Sequence, residues 1–191
     1  MTMKYYESTL RLRIPSTDLY GIHQHLDFFI QEQSKAKLPY SFLVQPGTGN
    51  DSRILLRTAQ PIGVPGEKHL SATFTEGQKI TLCGSMAVVR RETVNGRKRE
   101  VTPPHHELNE FIHYRLERAG FTPHHVGVYE TKKNIIQKPD HRHQKGHRIV
   151  VPTTEFIATG NVASVEEFEQ AFVFGVGRKR IFGVGQISLI S

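Results

Sequence analysis

The sequence is poor in cysteine and in long apolar runs, and both shortages limit what the protein can be. A single cysteine, Cys83, among 191 residues excludes an internal disulfide. No apolar run approaches the ~20 residues that a membrane helix needs, and residues 1–14 lack the apolar core of a signal peptide. We therefore expect a cytoplasmic protein in which Cys83 is a core residue and not a nucleophile.

Acidic residues are also in the minority. The chain has 18 Asp and Glu against 25 Lys and Arg, which gives a formal net charge of +7, and it has 11 histidines. Such a balance favours a polyanionic partner. The hydrophobic content of 37% is ordinary for a protein with a core, and the length allows one large or two small domains.

The first part of the chain predicts a ferredoxin-like domain. Alternating polarity over residues 4–14 predicts a half-buried strand, and apolar residues at helical spacing predict a helix over 18–32. Strands are expected at 40–45, 53–58 and 78–91, with residues 61–77 irregular or a short helix. This order of elements is that of a split βαβ unit, which we place at residues 1–85.

Residues 86–191 predict a second domain of the same type. Asn95-Gly96 is a turn signal between strands at 88–94 and 97–101, and a helix is expected at 105–119. The very basic residues 132–148 predict a loop, 149–158 a strand, and Ser164 with Glu167 a capping box for the last helix. The predicted fold class is α+β, with two tandem ferredoxin-like (RRM-like) βαββαβ domains that pack together.

Three stretches of the second domain are candidates for phosphate binding: the hairpin, the basic segment and the glycine-rich tail. Glycine lets backbone N–H groups approach an anion, and Lys and Arg add charge. The tail does not match GxxxxGK[ST], so an RNA backbone fits better than a nucleotide, and a tight turn before the last strand is the alternative. The candidate RNA-binding residues are Arg90, Arg91, Arg97, Lys98, Arg99, Lys132, Lys133, Arg142, Lys145, Arg148, Gly175, Gly177, Arg178, Lys179, Arg180, Gly183 and Gly185.

The helix predicted at 18–32 carries Tyr20, His23 and Asp27 as a polar stripe beside its apolar face. A histidine exchanges protons near neutral pH, and a tyrosine hydroxyl can position an oxygen. RNA supplies its own nucleophile, the 2′-hydroxyl, so such residues could cleave it without a metal. From the residues alone, Tyr20 and His23 could equally be ordinary core or surface residues.

Two histidine clusters raise the alternative of a metal-dependent enzyme. They are HRHQKGH at 141–147 and the group formed by His105, His106 and His113. Neither has the spacing of a zinc finger or of HExxH, and neither has a supporting cysteine. We therefore predict no metal and no other cofactor.

Two blocks of sequence carry a family resemblance. TDLYGIHQHL (17–26), followed by SFLVQP (41–46) and ILLRTAQPI (54–62), resembles the N-terminal half of the CasE (Cse3) family of CRISPR RNA-processing endoribonucleases. GVGRKRIFGVGQISL (175–189) resembles the glycine-rich loop of that family. The resemblance implies two ferredoxin-like domains that bind a CRISPR repeat stem-loop and cut at its 3′ base without metal, leaving a 2′,3′-cyclic phosphate. It also implies that the protein stays on the hairpin as a subunit of the interference complex.

The resemblance also assigns roles to residues. His23 matches the catalytic histidine, Tyr20 the tyrosine of the same block, and residues 175–185 the phosphate-binding loop. The sequence departs from the family pattern in two places. No basic residue follows His23 before Lys35, which leaves Arg178 or Lys179 to supply charge. In addition, TLCGSMAVV (81–89) replaces an R-x-R-A-N-P strand. The alternatives are a non-catalytic subunit that binds the crRNA hairpin, and membership of a type IV rather than a type I-E complex.

Overall fold

A computed structural model describes residues 2–139 and 146–190. In this part of the chain, two four-stranded antiparallel sheets, a two-stranded hairpin and three α-helices form the fold. No helix of the described residues is long and apolar enough to cross a membrane.

The first sheet is built from β1 (Thr2–Leu12), β2 (Tyr40–Pro46), β3 (Ser52–Thr58) and β4 (Lys68–Thr73), in the order β2-β3-β1-β4. Helix α1 (Leu19–Ser34) connects β1 to β2, and the Asp18 carboxylate caps it by accepting from the Gly21 amide. Ile22, Leu26 and Ile30 are the buried residues of α1 and pack on this sheet. The predicted apolar stripe of the helix is therefore confirmed at its centre.

The second sheet has the same topology. Its strands are β5 (Lys79–Ala87), β8 (Phe121–Lys138), β9 (His147–Val162) and β10 (Ile187–Ile190), in the order β10-β5-β9-β8. Helices α2 (Leu108–Glu117) and α3 (Val165–Phe174) form the crossovers. In both sheets the first and third strands are the central pair, as in a ferredoxin-like domain, and the predicted fold class is confirmed.

The structure corrects two predictions about the first domain. Residues 61–77, expected to be irregular or a short helix, contain β4, which pairs with the N-terminal half of β1. The strand expected to complete the first sheet is β5, and it pairs instead with β9 and β10. The predicted domain boundary at 85/86 therefore lies inside a strand of the second sheet, and the two sheets divide in residues 74–78.

The hairpin formed by β6 (Arg90–Val94) and β7 (Arg97–Val101) has the predicted turn. Asn95 and Gly96 both have positive φ, at 50° and 72°, as a two-residue turn of this kind requires. We call residues 90–101 the basic hairpin.

The basic segment is not the loop that its composition predicted. Residues 132–138 continue β8 and pair with 147–153 of β9, with Lys138 opposite His147. Ile136 and Val151 are buried on this extension. Because side chains alternate along a strand, Lys132 and Lys138 share the face of Ile136, whereas Lys133 and Arg148 lie on the opposite face. We call residues 132–138 and 147–148 the basic arm; the predicted site residues Arg142 and Lys145 lie outside the described residues.

A buried arginine joins the two domains. Arg57 of β3 is 5% exposed, and its Nη1 donates to the carbonyl oxygens of Phe172 (2.6 Å) and Ile187 (2.9 Å) in the second domain. Its Nε and Nη2 donate to Oε1 of Glu7 on β1. Ser41 of β2 adds a hydrogen bond to the Val173 carbonyl. The end of α3 is therefore tied to the first sheet.

Candidate active site

An open groove of about 730 Å³ lies between the two domains. One wall consists of His23 and Asp27 on α1 and of the start of β2. The other wall comes from the C-terminal end of α2, one face of α3 and residues 175–185, which we call the glycine loop. The predicted catalytic histidine thus lies where both domains meet.

The His23 ring is oriented by two neighbours. Its Nε2 lies 3.6 Å from Asp27 Oδ2, one helical turn away, and its Nδ1 lies 3.5 Å from Tyr40 Oη. Tyr40 Oη donates to Asp27 Oδ1 at 2.7 Å. Burial, and then the hydrogen bond to Asp27, raise the pKa of the Tyr40 hydroxyl. Tyr40 therefore stays protonated near neutral pH, and the His23 side chain, 17% exposed, is held at the wall of the groove.

Tyr20 lies on the other flank of α1. It packs against a small interdomain core that includes Phe182 and Val184 of the glycine loop. The Lys138 ammonium of the basic arm lies 5.8 Å from the centroid of the Tyr20 ring. Tyr20 is not among the residues that line the groove, so the two members of the predicted catalytic pair face different surroundings.

The small interdomain core brings the predicted binding stretches together. It contains Ala87 and Val89, which lead into the basic hairpin, Ile136 and Val151 of the basic arm, and Phe182 and Val184 of the glycine loop. Tyr20 of α1 packs against this core. Three segments far apart in the sequence therefore meet beside the helix that carries His23.

The glycine loop is shaped by its own backbone. Gly175, Gly177, Gly183 and Gly185 all have φ between 75° and 92°, a region that side chains disfavour. At Gly185 a Cβ would also clash with the Val176 carbonyl, since the two residues are joined by a hydrogen bond from the Val176 amide. The glycines are thus required by the fold of the loop.

Most of the loop's predicted anion-binding groups are engaged within the protein. The amides of Gly175, Gly183 and Gly185 donate to backbone carbonyls. Arg180 Nη1 donates to the carbonyls of Phe174 (2.9 Å) and Gly175 (3.1 Å), so this side chain closes the loop. Within the described residues, the Gly177 amide has no such partner.

Several predicted RNA-binding cations have acidic partners. Lys179 pairs with Glu100 at 2.9 Å, which links the glycine loop to the basic hairpin. Arg90 contacts both Glu92 and Glu107, whose hydrogen bonds raise its pKa.

Among the described residues, the ion pair of Lys132 is a long and exposed one with Glu155 at 3.5 Å. Other predicted cations are exposed and form no ion pair within the described part of the chain; they are Arg91, Arg97, Lys98, Arg99, Lys133 and Arg148.

The sequence analysis missed three contributors to the groove. Tyr40 is 17 residues from His23, and no local pattern connects the two. Arg115 and Arg118 line the opposite wall from α2. Their i, i+3 spacing, which places both on one helix face, was the only signal in the sequence.

Among the described residues, the histidines expected as an alternative metal site do not converge. Within residues 2–139 and 146–190, no three side chains of His, Cys, Asp or Glu are arranged to hold a metal ion. His106 and His113 each lie near a single glutamate of their own helical segment. His141 and His143 lie outside the described residues.

The architecture is that of proteins with two tandem ferredoxin-like domains and a glycine-rich loop between them. The model of a family described as CRISPR associated protein matches residues 18–190. The chain therefore belongs to this family of CRISPR-associated proteins, and the family resemblance found in the sequence is confirmed. No protein of curated function matches the sequence significantly.

Solved structures share the fold over nearly the whole chain. A CRISPR endoribonuclease Cse3 bound to a 19-nucleotide RNA is 15% identical, with a TM-score of 0.72 and full coverage of both chains. Cas6e from Escherichia coli K-12 is 17% identical, with a TM-score of 0.71, over 96% of this chain and 98% of that one. A chain of a CRISPR RNA-guided surveillance complex is 16% identical, with a TM-score of 0.69 over the same shares.

Proposed function

We propose that this protein is an endoribonuclease that cuts CRISPR precursor RNA at the base of the repeat stem-loop. It needs no metal, and it stays on the 3′ hairpin of the crRNA as a subunit of the interference complex. Membership of the family and the fold shared with RNA-bound Cse3 support this proposal. The observation that carries it is an oriented histidine, His23, at an interdomain groove bordered by the glycine loop.

The proposed reaction is attack by the 2′-hydroxyl on the adjacent phosphorus. The bond between O2′ and phosphorus forms as the bond to O5′ breaks, so the products are a 2′,3′-cyclic phosphate and a 5′-hydroxyl. One proton must leave O2′ and one must reach O5′. His23 transfers one of these protons, and help of this kind is typically worth about 10²–10⁴-fold in rate.

Two tyrosines and one carboxylate support the role of His23. The pair formed by Tyr40 and Asp27 keeps the His23 ring in place through contacts with both ring nitrogens. Tyr20 assists from the opposite flank of α1, beside the glycine loop that would hold the RNA backbone.

The exposed cations of the basic hairpin and the basic arm hold the stem. They contact phosphates and read helix shape, because side chains cannot read the deep major groove of an A-form helix. Binding should therefore weaken steeply as salt is raised.

A cleavage assay in EDTA tests the proposal. Labelled repeat RNA is compared with the same RNA carrying a 2′-deoxy nucleotide before the cut, and we expect only the first to be cleaved. His23→Ala should abolish cutting while hairpin binding stays near the wild-type level. His25→Ala is the matched control, because His25 is exposed on the same helix and stacks on Phe29. Equal cleavage by the His23 and His25 variants would refute the assignment.

One observation favours a second candidate, a non-catalytic subunit that binds the hairpin. The polar partners of His23 in the described residues are Asp27 and Tyr40, and neither of them is a lysine or an arginine. This candidate predicts tight hairpin binding by the wild-type protein and no product at any pH.

A further inference from the structure

Two arginines from different elements lie at the α2 end of the groove. Arg115 of α2 lines the groove wall opposite His23. Arg178 follows Gly177, which lines the same groove, and its positive charge acts on Arg115. Within the described residues, neither guanidinium forms an ion pair with a carboxylate. The two cations therefore come from separate elements, and no carboxylate in the described part of the chain neutralises them.

Arg115 is held in an unfavourable setting. Its side chain is half-buried, with the guanidinium 5.1 Å from the centroid of the Phe111 ring. Its Nε is buried and has no hydrogen-bond partner in the described part of the chain. An unsatisfied buried donor costs free energy. Such a group is retained at a functional site when a ligand completes its hydrogen bonds.

The charges around Arg115 add to its unfavourable setting. Burial, and then the charge of Arg178, lower the Arg115 pKa; Tyr114 acts in the opposite direction, and no carboxylate does. Glu167 also lines the groove, but its charge acts on Arg118, one turn further along α2. Within the described residues, no carboxylate therefore pairs with the charges of Arg115 and Arg178.

We propose that Arg115 and Arg178 together bind one backbone phosphate of the RNA strand that passes through the groove by His23. Guanidinium groups suit this ligand because their forked N–H donors match two phosphate oxygens. The identity of the anion as RNA rests on the proposed function. The site is separate from the reacting phosphate and lies on the opposite wall of the groove.

The first arm of the test measures RNA affinity over a range of salt concentrations. The RNA carries a 2′-deoxy nucleotide at the cut site, so its binding is read whether or not the protein cleaves. A repeat with single-stranded flanks is compared with the bare hairpin. R115Q and R178Q should each bind the flanked RNA about tenfold more weakly, with a salt slope smaller by about 0.7–1. Both should bind the bare hairpin as the wild type does.

Two further variants sharpen this result. The double variant should lose little beyond either single variant, because both side chains serve one phosphate. R53Q is the matched control, since Arg53 is an exposed arginine of the first sheet, and its slope should equal that of the wild type. Unchanged slopes for R115Q and R178Q would overturn the proposal.

The second arm measures the thermal stability of the protein without RNA. Because R115Q removes an unpaired, half-buried charge, its Tm should equal or exceed that of the wild type. A lower Tm for R115Q would mean that Arg115 is structural. If R115K, which keeps the charge, then restored stability without affecting RNA binding, the proposal would be overturned. Another outcome is that millimolar inorganic phosphate stabilises the wild type but not R115Q while the salt slopes of RNA binding stay unchanged. That result would mean that the site takes a free anion and not RNA. Failure of the wild type to cleave in EDTA would refute the proposed function alone.

Discussion

Replacing the buried arginine that joins the two domains should strongly destabilise the protein. Arg57→Met keeps the length of the side chain and its apolar contact with Phe172, whose ring lies 4.1 Å from the guanidinium carbon. It removes the hydrogen bonds to two backbone carbonyls and to Glu7. The carbonyls of Phe172 and Ile187 then lose a charged donor in a buried setting.

The size of the effect follows from these contacts. Breaking a buried ionic network by removing one partner costs about 3–5 kcal/mol. The Glu7 side chain is 37% exposed and can be rehydrated, which places the expected loss at the lower end of that range. For a chain of this length, each kcal/mol lowers Tm by about 2–4 °C, so a loss of about 3 kcal/mol should lower Tm by roughly 6–12 °C.

Urea unfolding, followed by far-UV circular dichroism and by tyrosine fluorescence, measures the loss of free energy. Arg53→Met is the control, because Arg53 is exposed on the same strand, and it should change stability by less than about 0.5 kcal/mol. Since Arg57 binds the end of α3, which leads into the glycine loop, its replacement should also slow cleavage. A loss below about 1 kcal/mol, or an equal loss in both variants, would refute this reasoning.

Three further predictions concern the groove, the loop and the hairpin. Tyr40→Phe removes the hydroxyl that holds the groove carboxylate, so single-turnover cleavage should slow roughly tenfold with hairpin affinity unchanged; an unaltered rate would contradict this. Gly185→Ala should lower the stability to thermal unfolding by at least about 2 kcal/mol. Gly127→Ala should not, because a Cβ at that position would have no atom closer than 3.9 Å. Similar Tm values for the two variants would disprove the strain. Arg97→Gln should reduce the salt slope of hairpin binding by about 1, while Arg90→Gln, which breaks ion pairs, should mainly lower stability; the reverse pattern would count against the charge assignment.

Local patterns predicted the helices and turns well. The apolar spacing of α1, the capping serine of α3 and the Asn95-Gly96 turn all appear where the sequence placed them. Each of these signals acts over one or two turns of chain, so the residues that create the structure are neighbours in the sequence.

Strand pairing was harder to predict because it is not local. The short strand β4 has only two half-buried residues, Leu70 and Ala72, and its neighbour is the distant start of β1. The pattern of β5 shows a strand but not which sheet it joins. In the basic arm, the many charged residues concealed a strand that buries Ile136.

The candidate site shows the same difference between local signals and long-range packing. The motif placed His23 and Tyr20 together, but adjacent positions on a helix face different neighbours once both flanks are packed. Tyr40 reaches His23 only because β2 returns beside α1. Lys179 looked like a free phosphate ligand until Glu100 of the hairpin was seen to pair with it.

By itself, the sequence determined the net positive charge, the helices, the glycines whose positive φ shapes the loop, and the family. These properties depend on composition or on residues close in the chain. Only the tertiary structure decided which cations have acidic partners, which residues orient His23, and where Arg115 meets Arg178. Those facts depend on packing between segments far apart in the chain, where burial and long-range charge set the energy of each group.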